Sequence, residues 1–131
     1  MSLSAEEIGL VVESLKQALK GTVVRQVISS ESLDRIALEL RGLGENHFLQ
    51  IVAAAGVTRI GRVKEKPKAQ ETPHPFVMLL RKEIVGKAIA DIRQIGGDRA
   101  VSLELAGKTG ESSVVCELTS RHANIFLVDS A

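Results

Sequence analysis

The chain has 131 residues with 17 basic and 16 acidic side chains, a net charge of +1, so its length suits one domain and a uniformly basic nucleic-acid binder is not indicated, although a local basic patch is still allowed. Three Phe with no Trp and no Tyr leave Val, Ile, Leu and Ala to build the core, and they nearly exclude aromatic platforms for single-stranded bases. A single cysteine can form neither an internal disulfide nor a cysteine zinc cluster, and Cys116 in VVCEL reads as a small buried hydrophobe.

In chain order, Ser4 and Glu7 have capping-box spacing, and Ile8, Val11, Val12, Leu15 and Leu19 recur on one helical face. A helix is predicted over 5–20, ended by Gly21. The segment 22–29 is β-branched, 35–41 alternates Ile36, Leu38 and Leu40 with Arg35, Ala37, Glu39 and Arg41, and 47–55 and a shorter 57–63 complete a predicted meander of three or four antiparallel strands. Residues 64–75, KEKPKAQETPHP, hold all three prolines and read as a loop. A second helix is predicted from Pro75 to Gly86, with Phe76, Val77, Leu80 and Ile84 inward. Strands at 87–93, 99–105, 113–118 and 124–128 follow, with turns at Gly96-Gly97 and 107–111. Phe48, Phe76 and Phe126 all lie in apolar runs and are expected in the core.

The pattern repeats. Gly21, Val24 and Val27 match Gly86, Ile89 and Ile92 at an offset of 65, LEL at 38–40 matches LEL at 103–105, and Asp34-Arg35 matches Asp98-Arg99 at 64. Two copies of helix, turn and antiparallel strands predict an α+β fold, a pseudo-symmetric antiparallel β-sandwich with two flanking helices. The chain then reads as a single domain over 1–131, with halves of about 1–63 and 75–131 and a loop at 64–74.

Motifs for catalysis are missing from the pattern. His47, His74 and His122 have no metal-ligand spacing, and Gly96-Gly97 belongs to neither a G-x-x-x-x-G-K-[ST] nor a G-x-G-x-x-G loop. The chain is expected to be no enzyme and to need no cofactor or metal. Without an apolar run of ~18 residues or a signal-peptide pattern at MSLSAEEIG, it reads as cytoplasmic, with no membrane partner.

Three basic features remain: Arg59, Arg62, Lys64, Lys66 and Lys68 around Glu65; Arg81 and Lys82 on the second helix; and Arg93 and Arg99 about the Gly-Gly turn. Each suits a solvated face or loop. If the second helix packs beside the 93–99 turn, however, Arg81, Lys82, Arg93 and Arg99 share a surface that can hold an RNA backbone. Asp98-Arg99 has two readings: Asp98 either hydrogen-bonds the turn backbone, as Asp34 would in the first copy, or contributes to a ligand site.

The run F-x-M-x-L-R-K-x-x-x-G from Phe76 to Gly86 continues through Gln94 to Asp98-Arg99, then L-x-L-x-G at 103–107 and E-L-x-x-R-x-A-N-I-x-L from Glu117 to Leu127. Over essentially the whole chain this resembles the N-terminal part of the NFACT family (RqcH, NEMF and fibronectin-binding-protein-A-like proteins). The resemblance implies a fold similar to the N-terminal domain of formamidopyrimidine-DNA glycosylases. It also implies work in ribosome-associated quality control: binding a large ribosomal subunit with stalled peptidyl-tRNA and recruiting tRNA for tailing of the nascent chain. The family's Asp-Arg pair, which Asp98-Arg99 matches, is implied to engage tRNA, and Arg81 and Lys82 match its L-R-K positions. Some members are described as fibronectin or fibrinogen binders, so a protein-interaction domain is an alternative. A glycosylase-fold DNA-binding domain without catalysis is the second alternative.

Four departures qualify the resemblance. Arg59-Ile60-Gly61-Arg62-Val63 stands where many members have R-I-H-x-[ST]. The N-terminus is Met-Ser, not the Pro nucleophile of the glycosylases, and a zinc finger is missing. Family members also continue past the position of Ala131 into further domains, so the chain is expected to be a fragment of a longer protein.

Overall fold

The computed structural model describes residues 3–29, 35–42, 44–54, 57–67, 75–108, 110–119 and 124–129. Helix α1 (Ala5–Leu19) leads into strands β1 (Val23–Ser29), β2 (Arg35–Gly42), β3 (Glu45–Ala54) and β4 (Val57–Val63). Helix α2 (Pro75–Ile84) then leads into β5 (Ala88–Gln94), β6 (Ala100–Gly107), β7 (Gly110–Glu117) and β8 (Asn124–Asp129). The predicted α+β architecture of antiparallel strands and two helices is therefore observed. β3 and β7 start earlier than the turn residues suggested, because Gly42 pairs with Glu45 and Gly107 with Gly110 across tight hairpins.

Local chemistry accounts for the helices. Ser4 Oγ accepts from the Glu7 N–H while the Glu7 carboxylate accepts from the Ser4 N–H, closing the capping box. That hydrogen bonding holds the Glu7 carboxyl below the usual carboxylate range. Ile8, Val12, Leu15 and Leu19 are buried on one face of α1, and Val77, Leu80 and Ile84 on one face of α2. Each helix is followed by a glycine with positive φ, Gly21 and Gly86, which turns the chain sharply into the next strand.

The sheet order is β4-β3-β2-β1-β5-β6-β7-β8. Two four-stranded meanders thus join edge to edge through β1 and β5, whose one paired position is Val23 with Ala88. Four backbone hydrogen bonds frame that bridge in two equivalent pairs. Gly21 N–H donates to Ile89 O at 2.8 Å as Gly86 N–H does to Val24 O at 2.8 Å, and Ile89 N–H donates to Thr22 O as Val24 N–H does to Lys87 O. Each member maps onto its twin by the offset of 65 read from the sequence. The register irregularities, between Val24 and Gln26 and between Ile89 and Asp91, correspond in the same way.

The helices exchange places. α1 packs mainly on β5 and α2 on β1, so each covers a strand of the other half. β3 also approaches β7 and β8 across the interior, and Thr58 Oγ1 donates to Leu118 O at 2.8 Å. One buried cluster runs through both halves, from Ile8 and Leu38 to Leu103 and Cys116. Burial pushes the Cys116 thiol up to about 12, which fits the small hydrophobe expected there.

Phe126 departs from expectation. It is 40% exposed, with Val128 at 49%. Both lie on the outer face of edge strand β8, where the apolar run carries two side chains away from the core. Phe48 and Phe76 are half-buried.

Candidate nucleic-acid interface

The turn between β5 and β6 carries the Asp-Arg pair. Gly96 and Gly97 have φ of +60° and +70°, the left-handed region that glycine adopts without strain. Within the turn, Ile95 N–H donates to Ala100 O at 2.8 Å and Asp98 N–H to Ile95 O at 3.0 Å. The Asp98 carboxylate accepts from the Arg99 N–H at 2.7 Å, the local backbone role foreseen for it. Arg99 O accepts from Leu118 N–H at 2.8 Å, tying the turn to the end of β7. Asp98 is exposed and Arg99 half-buried, and the Arg99 guanidinium enters no ion pair among the described residues.

The other candidates fall elsewhere. Arg93, on β5, leans away from the turn toward β6, where its Nε meets Glu104 Oε1 at 2.8 Å. Glu104 also accepts from Ser113 Oγ. Burial raises the Glu104 carboxyl, but the bonds from Ser113 and Arg93 outweigh it and the net shift is downward. A lowered folded-state pKa adds stability above the unfolded value, and that stability is lost as pH falls through the folded value. Glu104→Gln should therefore flatten the acid limb of the stability–pH curve while costing stability near neutrality, as urea titrations at several pH values would read. The pair is largely solvated, and its contribution is correspondingly screened.

Arg81 is half-buried on α2, and its Nε donates to Val27 O at 3.1 Å. Past the single β1–β5 bridge the two strands diverge, leaving edge groups to satisfy, and Arg81 caps one of them. At the related place on β5, Ile92 N–H donates to the Asp91 carboxylate at 2.9 Å. Asp91 is in turn paired at 3.2 Å with Lys16, the α1 residue that matches Arg81 in the repeat. The hydrogen bond from Lys16, with that from Ile92, holds the Asp91 carboxyl below its ordinary value. Lys82 beside Arg81 is exposed.

The shared surface expected for Arg81, Lys82, Arg93 and Arg99 is thus not formed. α2 packs on β1, not beside the 93–99 turn. Val27 lies four residues to one side of the Val23–Ala88 bridge and Gln94 six to the other, about 30 Å apart at ~3.3 Å per residue. Arg81 and Lys82 form one locus, the Asp98-Arg99 turn another. Of the basic run after β4, Lys66 pairs with Glu39 at 3.5 Å, and Lys68 lies outside the described residues, as do Asp34, His74 and His122. No group of His, Cys, Asp and Glu able to hold a metal ion occurs among the described residues.

The sequence pattern gave no role to Gln94, whose Nε2 reaches the carbonyls of Ala5 and Asp98 at 2.8 and 2.7 Å. A glycine inside a helix was the available signal: Gly9 costs α1 propensity, and a Cβ there would stand 2.9 Å from Gln94 Oε1.

Residues 8–131 match the family model for NFACT N-terminal and middle domains. The chain is 27% identical over 126 residues to Rqc2 homolog RqcH of Streptococcus pneumoniae, covering 92% of this chain and 23% of that protein. It is 31% identical over 101 residues to Rqc2 homolog RqcH of Bacillus subtilis, covering 73% of this chain and 18% of that protein. It therefore spans less than a quarter of the length of these relatives. Among solved structures, the N-terminal domain of the fibronectin-binding protein PavA from S. pneumoniae superposes with a TM-score of 0.90 at 24% identity, over 98% of this chain and 50% of that one, which establishes the shared fold.

Proposed function

The chain belongs to the family of NFACT N-terminal and middle domains, and from that premise we propose that it is the tRNA- and large-ribosomal-subunit-binding module of a ribosome-associated quality control factor. It contributes contacts to tailing of stalled nascent chains and no chemistry of its own. The observation that carries this reading is the Asp98-Arg99 turn. Hydrogen bonds on both sides fix its backbone, Asp98 is exposed, and the Arg99 guanidinium is not committed to an ion pair among the described residues. A planar guanidinium suits phosphate, and Asp98 can accept from a base or ribose while holding the turn. Lys82 offers a second, separate contact. Arg93 and Arg81 supply less, being engaged with Glu104 and Val27 O.

The test is tRNA binding by the full-length protein across a salt series. Asp98→Ala with Arg99→Ala should weaken binding about tenfold to a hundredfold, the range for hydrogen bonds to charged groups, and lower the salt slope by about one phosphate contact. Unchanged affinity and slope would remove the pair from the interface.

A second reading, a fibronectin- or fibrinogen-binding domain, draws on the exposed Phe126 and Val128 of edge strand β8 and the fold shared with PavA. Fibronectin capture that survives high salt, with no tRNA binding, would favour it.

A further inference from the structure

We propose that Gln94 is the positioning residue of the Asp98-Arg99 turn, a clamp between that turn and the first turn of α1; its functional half rests on the RNA-contact reading above. The Gln94 amide nitrogen has two hydrogens, and each has an acceptor: Ala5 O at 2.8 Å and Asp98 O at 2.7 Å. Both neighbours are carbonyls, so only this orientation of the amide satisfies the network. Gln94 is the last residue of β5, rooted in the sheet beside buried Ile92, while Ala5 is the first residue of the capped α1. One side chain therefore ties two firm elements to the turn, adding a side-chain anchor to the backbone hydrogen bonds that already hold it.

The clamp requires Gly9. Its missing Cβ leaves room for Gln94 Oε1, which would otherwise meet a methyl at 2.9 Å. An alanine at this point of a 15-residue helix would favour helix formation by about 1 kcal/mol, so the glycine runs against local preference where Gln94 presses on the helix. The first half is built differently. Ser29 ends β1 as Gln94 ends β5, and its buried Oγ has no hydrogen-bond partner among the described residues. The clamp thus belongs to the half that carries the Asp98-Arg99 turn.

The experiment uses the full-length chain, unfractionated tRNA as probe, and amide hydrogen exchange resolved at Asp98 and Arg99. Gln94→Met keeps the stem and removes both donors. Gly9→Ala leaves every side chain of the turn intact and displaces Gln94. Both should speed exchange at the Asp98 and Arg99 amides and weaken tRNA binding about fivefold to tenfold, the worth of a hydrogen bond or two. The salt slope should stay at its starting value, because no charge is removed. In the Asp98→Ala, Arg99→Ala background, Gln94→Met should cost binding nothing further. A full, additive loss in that background overturns the proposal, since Gln94 would then act independently of the turn. Unchanged amide exchange overturns the clamp whatever RNA does. If exchange quickens while Asp98→Ala with Arg99→Ala leaves tRNA affinity untouched, the RNA reading has failed and the functional half of the proposal goes with it.

Discussion

Truncating Leu38 or Leu103 to alanine should each cost about 2–5 kcal/mol, the range for removing a buried leucine and leaving part of its space empty. Both are fully buried, at 1% and 0% exposure, and they are twins in the LEL runs of β2 and β6. Their interiors are one cluster, so each loss should appear in a single cooperative transition, not as the melting of one half. Without Trp or Tyr, the measurement is urea unfolding followed by far-ultraviolet circular dichroism. Two separated transitions in Leu103→Ala would mean that the halves hold their own cores.

Gly42→Ala is the second large effect, expected at about 1–3 kcal/mol, the usual cost of overpacking. A Cβ at Gly42 would lie 2.7 Å from Thr22 Cγ2. Thr22 is buried, and its Oγ1 donates to Leu19 O at 2.6 Å, so its methyl cannot simply swing aside. Thr22→Ser removes the methyl and keeps the hydroxyl. In that background Gly42→Ala should recover part of its loss, a coupling that a double-mutant cycle in urea would read. Strict additivity would show that the close approach does not set the cost. The related crossing in the second half, Gly107 against Lys87 at 2.8 Å, resists this rescue, because Lys87 Nζ is anchored to Ser112 Oγ at 2.7 Å.

How legible was this in the sequence? Element types were, because Ile8, Val12, Leu15 and Leu19 keep helical spacing and Leu38, Leu103 and their neighbours alternate. The repeat was visible through Gly21 and Gly86, whose positive φ values leave little choice of residue. One correspondence was misplaced. The offset of 65 holds from Ser29 with Gln94 through Ile36 with Val101, so Arg35, first in β2, stands opposite Ala100 and not Arg99. The matching Asp-Arg pairs are one residue out of step. The exchange of helices was illegible, because periodicity shows which face is apolar but not which strand it meets. That same gap misplaced the basic surface: Arg81 and Lys82 go where α2 goes, and α2 goes to β1. The ion pair of Arg93 with Glu104 needed the β5–β6 register, which no local pattern supplies.

The crossing of the helices also bears on how the molecule can come into being. A ribosome releases α1 first, yet the strand that α1 lies on, β5, ends only at Gln94. Until then Ile8, Val12, Leu15 and Leu19 lack the larger part of their native surface, β4 supplying the lesser part, and the β1–β2–β3–β4 meander lacks α2. Long-range closure of this kind slows folding, and uncovered apolar faces during synthesis invite wrong partners. Assembly of this domain is therefore expected to be late and concerted, completed only when the second half has cleared the exit tunnel.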